Sequence, residues 1–265
     1  MRVVIIGCAE SGLDRVKCLR EEGLVPEDAQ AAIYEKSCFA SFGQEKLEEF
    51  CTLSLEDIAA AYHRQEERIR QSGAALHLLT EALLVDPRGK VVTVQRRESG
   101  TPEQIRYDLL ILATGRPRRV PDLAGKELQG VLALQGLEDL LYLKEFLKSR
   151  YLRDVVLFGG KSGGTLGKTL AGALDREGKQ VTVLPPGERG CRLTGDLFVD
   201  GVVTDKRRMD CDLFVSLEED ANAAPYLRGL PAATAPDGRL YADKNGKTAY
   251  DGIYAAGSLV RIRAD

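Results

Sequence analysis

The sequence predicts an α/β chain built from two βαβ halves, and three observations predict it. Arg2–Ile6 is a short apolar run rich in β-branched residues, and it ends in a glycine turn at Gly7–Gly12. Val155–Phe158 is a second such run, ending in a glycine turn at Gly159–Gly164. Each turn leads into apolar residues at helical spacing. A β-branched run reads as a buried strand, and a glycine turn that opens a helical stripe is how a parallel strand passes to its crossover helix.

The elements follow in order. Leu13, Val16 and Leu19 form a stripe over 13–22, with Gly23 placed to cap its end. Ala31–Tyr34 is the returning strand, reached by a right-handed crossover. Leu55–Gln71 carries Leu55, Ile58, Ala59, Tyr62 and Ile69 on one face and charges on the other, a half-buried helix. Ala75–Leu79 reads as a strand. Ala82–Asp86 and Lys90–Arg97, joined by Pro87-Arg88-Gly89, form an antiparallel excursion that continues through a polar loop at 98–104 to Tyr107. Leu109–Leu112 is a buried strand ending in Ala113-Thr114-Gly115. Pro117 and Pro121 mark a linker, and Leu137–Lys148 is a helix. The second half runs through the strand Val155–Phe158, the helix Thr165–Arg176, the strand Gln180–Leu184 and a loop over Pro185–Arg192. Leu213–Ser216 and Gly252–Ala256 are later buried strands.

The chain has 265 residues, 44% of them hydrophobic, enough for one large domain or two small ones. Its net charge of −3 gives no basic surplus for a nucleic acid, so none is expected as a partner. The longest apolar runs, Leu109–Ala113 among them, are too short to span a bilayer. Met1–Gly7 leads directly into a strand and does not read as a signal peptide, so a cytoplasmic protein is expected. Six cysteines, at 8, 18, 38, 51, 191 and 211, form no Cys-x-x-Cys pair, and His63 and His77 are the two histidines. That pattern predicts reduced thiols and no metal centre.

The first turn, Gly7-Cys8-Ala9-Glu10-Ser11-Gly12, reads Gly-x-Ala-x-x-Gly. The first glycine permits the turn, the last lets helix and strand pack closely, and the middle position lets backbone approach a pyrophosphate at the helix N-terminus. Alanine adds one methyl group there. Glu35 ends the second strand, where an acid accepts hydrogen bonds from an adenosine ribose. The first half is therefore expected to bind a dinucleotide.

Four stretches together resemble the pyridine nucleotide-disulfide oxidoreductases, and within them the coenzyme A-disulfide reductase and NADH oxidase branch. They are VVIIGCAESGL at the start with IYEK at 33–36; YDLLILATGRPRRVPDLAG at 107–125 followed by VLALQGLEDLLYLKEFL; VVLFGGKSGGTLGKTLAGAL in the second half; and YDGIYAAGS at 250–258. The resemblance implies two Rossmann-like dinucleotide-binding domains of the FAD/NAD(P)-binding fold, without the C-terminal dimerisation domain. Residues 1–118 with 236–265 would form a discontinuous FAD-binding domain, and 119–235 a reduced NAD(P)-binding-like domain. By the same likeness Gly7, Ala9, Ser11 and Gly12 meet the FAD pyrophosphate, with Glu10 beside them. Glu35 meets the ribose, with Lys36 next to it. Ala82 lies near the adenine, and Ala113, Thr114 and Gly115 line the cofactor. Gly257 and Ser258 match the family's Gly-Asp, with a neutral hydroxyl in place of the acid.

The departures bear on activity. The segment Cys38-Phe39-Ala40-Ser41-Phe42-Gly43 puts Phe42 where the disulfide-reducing branch has its cysteine. Cys38 is then the weak catalytic candidate, and disulfide reduction is not expected. In the second turn Gly159 and Gly164 are kept, while Lys161 replaces the middle glycine, where it either blocks a nicotinamide pyrophosphate or pairs with it. The strand after it ends in Leu184-Pro185 without an acid. Arg189 and Arg192 nearby could favour a 2′-phosphate. Ser162–Thr169 nearly spells a P-loop, but its first glycine is a serine and the helix is expected to begin before Lys168, turning it away from a phosphate. The chain ends soon after Ser258, so a protein partner or an oligomer is expected to cover the flavin. The expected function is a FAD-dependent oxidoreductase, or a subunit of one, that passes electrons between NAD(P)H and a partner or small acceptor. The alternative is a non-catalytic FAD- or nucleotide-binding module with a degenerate NAD(P)H site.

Overall fold

The computed structural model describes residues 1–159, 165–219 and 225–262. Its elements in chain order begin with β1 (Arg2–Gly7), α1 (Ala9–Glu21), β2 (Gln30–Tyr34), α2 (Gln44–Phe50), α3 (Leu55–Ser72), β3 (Ala75–His77), β4 (Thr80–Asp86), β5 (Val91–Arg96), β6 (Pro102–Arg106) and β7 (Leu109–Ala113). They continue with β8 (Val131–Ala133), α4 (Leu137–Leu147), β9 (Asp154–Phe158), α5 (Thr165–Arg176), β10 (Gln180–Leu184), β11 (Arg192–Thr194), β12 (Gly201–Val203), β13 (Arg208–Asp210) and β14 (Leu213–Ser216). The last are β15 (Leu240–Ala242), β16 (Ile253–Ala255) and β17 (Val260–Ile262), with short 3₁₀ turns at Pro225–Gly229, Pro231–Ala233 and Gly257–Leu259.

The chain divides into two units. The first comprises Met1–Gln44, Glu56–Pro117 and Ala221–Asp265. Its centre is a five-stranded parallel sheet in the order β16-β7-β1-β2-β3. Successive side chains of a strand face opposite sides, and here both sides are covered. Val4, Ile6, Leu110 and Leu112 pack into one core with Ala82, Val85, Val92 and Val94 of the antiparallel sheet β4-β5-β6. Val3, Ile5, Leu109 and Ile111 pack into another with Leu13, Val16 and Leu19 of α1 and Ile69 of α3. A strand buried on both faces needs apolar residues at every position, which is why β1 and β7 read as unbroken apolar runs.

The second unit comprises Glu45–Leu55 and Arg118–Asp220. Its parallel sheet has the order β10-β9-β14-β8. Val156, Phe158, Leu184 and Phe214 share a core with Leu193, Val199 and Val202 around the small sheet β11-β12-β13. Leu166, Leu170 and Leu174 form the buried stripe of α5.

Two groupings differ from the sequence reading. Residues 225–235 pack with the first unit, because Tyr226, Leu227, Leu230 and Ala233 belong to the core under β4. A side chain on Gly229 would collide with the Val85 carbonyl, so the 3₁₀ turn lies directly on that strand. Residues 45–55 pack with the second unit, where Lys144 Nζ on α4 donates to the Leu53 and Cys51 carbonyls at 2.9 and 3.3 Å. The polar loop expected at 98–104 is in part the strand β6, paired to β5 from Val91↔Arg106 to Gln95↔Pro102.

Candidate cofactor site

Three strands of the first sheet, β1, β7 and β16, run parallel and end at one level, with Gly7 opposite Ala113 and Ala255 opposite Leu112. Ligands of open parallel sheets sit outside such carboxyl ends. The glycines there are held by close approach. Gly7 has φ +92°, and a methyl group built on it would lie 2.6 Å from Thr114 Cα, on backbone that cannot rotate away. The Cys8 N–H donates to the Ala113 carbonyl at 2.9 Å and ties the turn to β7. A methyl group on Gly12 would strike Ile5 Cγ2, which gives the last glycine its packing role.

The segment after β16 closes on the same place. Gly257, at φ +67°, faces Ser11, and a methyl group on it would be 3.2 Å from Ser11 Oγ. Gly115, at φ +64°, faces Ser258, with 3.1 Å between its built methyl and Ser258 Oγ. The structure thus brings together Gly7, Ser11, Thr114, Gly115, Gly257 and Ser258. Ala9 is buried at the first turn of α1. Cys8 caps that helix without a side-chain hydrogen bond to it, so the N–H groups of its first turn keep no intrahelical partner and carry the positive end of the helix dipole.

Glu35 follows β2 and is 4% exposed. Its Oε1 accepts the Ser37 N–H at 3.0 Å, and its Oε2 accepts the Ser41 hydroxyl. Burial raises its pKa above the usual carboxylate range, and the hydrogen bonds from Ser41 and Ser37 oppose that rise. The Ser41 carbonyl accepts the Cys8 thiol at 3.4 Å, which fastens the loop after β2 to the glycine turn. Burial also pushes the Cys8 thiol up, so it is a packing and hydrogen-bonding group rather than a thiolate. Lys36 is exposed. Glu10 turns toward α3, 3.7 Å from Arg68 Nη1, and its other oxygen accepts the Gly43 N–H at 3.5 Å.

Ala82 is buried in β4 and shares a core with Tyr34, whose ring stacks on His77 at 4.6 Å. Thr80, two residues before it, donates its N–H to the Glu35 carbonyl at 2.8 Å. Cys38 is half-buried. Phe42 and Phe39 pack edge-on against Tyr62, at 6.4 and 5.4 Å, so an aromatic cluster fills the stretch where the thiol would stand.

Sequence reasoning missed Ser41 and Tyr226. The Tyr226 hydroxyl lies 2.5 Å from Thr114 Oγ1, and burial pushes its phenol up to about 12. Tyr226 sits in no motif, and the segment that holds Ser41 points to Phe42 and Cys38 instead. Only the chain's return to β7 and β2 brings them to the site.

The residues of this crevice fit a dinucleotide. The glycines leave room that a Cβ would fill, the helix end offers N–H groups, and the buried carboxylate is ready to accept hydroxyls. The second crevice is different. Gly159 has φ +78° and donates its N–H to the Leu184 carbonyl at 3.0 Å, but the Glu218 side chain lies against its Cα. A carboxylate thus stands beside the first glycine of that crevice. Lys161 and Gly164, and the Ser162 and Gly163 of the near P-loop, lie outside the described residues. Lys168 stands exposed within α5. Among the described residues no group of His, Cys, Asp or Glu could hold a metal ion, and no helix is long and apolar enough to cross a membrane.

Residues 1–198 match the family model described as pyridine nucleotide-disulphide oxidoreductase. The NAD(P)H coenzyme A polysulfide/persulfide reductase of Pyrococcus horikoshii is 26% identical over 295 aligned positions, which span 99% of this chain and 63% of that protein. The water-forming NADH oxidase of Lactobacillus brevis, solved with NADH bound, superposes with a TM-score of 0.79 at 20% identity, over 98% of this chain and 62% of that one. The covalent putidaredoxin reductase–putidaredoxin complex gives a TM-score of 0.76 at 17% identity, over 99% of this chain and 68% of the matched one. This chain therefore spans less than two thirds of the curated relative's length. With the family model covering most of it, the chain belongs to the pyridine nucleotide-disulphide oxidoreductase family.

Proposed function

We propose that this chain is the FAD-binding unit of an oxidoreductase that passes electrons to a protein partner or a small acceptor. The observation that carries the reading is the meeting of Ser11 with Gly257 and of Gly115 with Ser258 beside the glycine turn. In this reading the first-turn N–H groups of α1 meet the pyrophosphate, Glu35 takes the ribose hydroxyls, and Ser258 hydrogen-bonds further along the cofactor. Ala82, Ala113 and Thr114 supply its walls. Bound FAD supplies the electron exchange, while the protein binds and orients it. Phe42 offers no nucleophile, so no disulfide-exchange step is assigned, and Cys38 is the thiol to test, by Cys38→Ser.

The names of the relatives point to sulfur and oxygen acceptors and to reduced nicotinamide as donor. The likeness to a reductase bound to its protein partner supports a partner over the flavin. Incubating the purified protein with FAD, desalting it and recording its visible spectrum tests the reading. Retained flavin bands support it, and a colourless protein overturns it. A second reading, a nucleotide-binding module with a degenerate NAD(P)H site, is favoured by Glu218 lying against Gly159. Anaerobic NADH and NADPH separate the two. Bleaching of the flavin supports the nicotinamide-linked oxidoreductase, and persistence of the bands supports the module or another donor.

A further inference from the structure

The second unit has the topology of a dinucleotide site, and at its first glycine stands an acidic side chain. In its sheet, β10 lies on one side of β9 and β14 on the other, so strand order reverses at β9. The ligand crevice of such a sheet opens at that reversal, beyond the carboxyl ends of the strands. Phe158 is in register with Ser216, so Gly159 and the residues after Ser216 leave the sheet at one level, side by side. A dinucleotide would bring its doubly charged pyrophosphate to this place, close over the first glycine.

Glu218 holds this place. A methyl group built on Gly159 would lie 2.5 Å from Glu218 Cγ and 2.6 Å from Cδ, and would collide with Oε1. The backbone that presents the side chain is fixed. The Arg119 N–H donates to the Glu218 carbonyl at 2.9 Å, the Glu218 N–H donates to Ser216 Oγ at 3.3 Å, and that hydroxyl donates to the Arg119 carbonyl at 2.6 Å. The neighbouring strand gives a dinucleotide no compensation. β10 ends at Leu184, followed by Pro185, so no carboxylate stands there for a ribose, and proline has no N–H to offer.

We infer that Glu218 closes the second crevice to nicotinamide dinucleotides, both by occupying the approach to Gly159 and by placing a negative charge against the pyrophosphate. This deepens the second reading above. The second unit is then a structural copy of a nucleotide-binding half, and a flavin in the first unit receives electrons from a donor that does not dock at β9.

The test is direct binding. NADH and NADPH are titrated by equilibrium dialysis into the FAD-supplemented protein and into its Glu218→Gly and Glu218→Gln variants, each checked for fold by circular dichroism. The wild type is expected to show no saturable binding up to about 1 mM, the weak end of ordinary enzyme–substrate affinity. Glu218→Gly is expected to bind at least tenfold more tightly than the wild type, and Glu218→Gln, which keeps the bulk and loses the charge, to fall between them. Wild-type binding of either nucleotide below about 0.1 mM overturns the inference. So does a folded Glu218→Gly that binds no better than the wild type. Should that variant not fold, the wild type and Glu218→Gln decide by the same criteria. Retained flavin colour with no nicotinamide binding leaves the FAD proposal standing. A colourless protein that binds NADH overturns both, by separate readouts.

Discussion

The Ser41 hydroxyl donates to the Glu35 carboxylate, the group proposed above to take a ribose. The loop after β2 therefore provides, from within the chain, the kind of hydroxyl that a bound adenosine would offer. The same serine accepts the Cys8 thiol through its carbonyl, so one residue joins Glu35 to the glycine turn.

Ser41→Ala is expected to affect the empty and the loaded protein unequally. Removing a hydrogen bond to a charged group costs about 1.5–3 kcal/mol. That loss falls on the protein without cofactor. With FAD bound, ribose hydroxyls satisfy Glu35 in place of Ser41. The rise in melting temperature on adding FAD should then be larger in Ser41→Ala than in the wild type. Equal rises in the two proteins would remove the competition argument.

Glu35 gives a pH prediction with a definite sign. Burial raises its pKa despite two hydrogen bonds, so its folded value lies above its unfolded one. A carboxyl shifted upward adds no cost to folding below its unfolded pKa. The cost grows as pH rises through the interval between the two values and is complete above the folded value. Glu35→Gln without cofactor should therefore be more stable than the wild type at neutral pH, and the difference should shrink as the pH falls toward the carboxylate range. The same variant should bind FAD about 10–100-fold more weakly, the effect of losing about 1.5–3 kcal/mol of charge-assisted hydrogen bonding. Thermal melts across pH and an FAD titration check both parts.

Gly7→Ala and Gly115→Ala should separate folding from cofactor binding. Both glycines have positive φ, which costs another residue about 1–2 kcal/mol. At Gly7 the added methyl also meets Thr114 backbone, and overpacking adds about 1–3 kcal/mol, so urea unfolding should show a large loss of stability. At Gly115 the nearest atom is the movable Ser258 Oγ. Its stability loss should be the smaller, and its main effect a weakening of FAD binding.

Tyr226→Phe tests the support beneath Thr114. It removes a buried neutral hydrogen bond and should cost about 0.5–1.5 kcal/mol in urea unfolding. Because burial pushes the Tyr226 phenol up to about 12, that loss should be constant from neutral pH to well above it. A loss that disappears at mildly alkaline pH would contradict the buried, protonated phenol.

Much of the first crevice could be read along the chain because its determinants are local. The Gly7–Gly12 turn, the apolar runs of β1 and β7 and the acid at Glu35 each carry their meaning within a few residues. α1 begins at Ala9 rather than Leu13, since polar residues of a first turn add nothing to an apolar stripe. What stayed hidden depends on distance or brevity. The strands β11, β12 and β13 are three residues each, two of them beginning with arginine, and show no clear alternation. α2 is short and mostly charged, and its buried Leu47 and Phe50 are too few to mark a helix. Tyr226 reaches Thr114 across 112 positions. Glu218 is an ordinary loop acid until the register of β14 with β9 sets it over Gly159.

The place of β16 in the first sheet governs when the site can exist at all. It lies beside β7 at the edge of the sheet, yet residues 118–220 of the second unit are synthesised between the two. Until residues 253–258 leave the ribosome, β7 presents the unpaired edge Leu110–Leu112, and Gly115 and Ser11 have nothing across from them. Cofactor capture must in this sense wait until β16 has been made. A nascent chain stalled before β16 would be a sticky sheet edge rather than a slow flavoprotein.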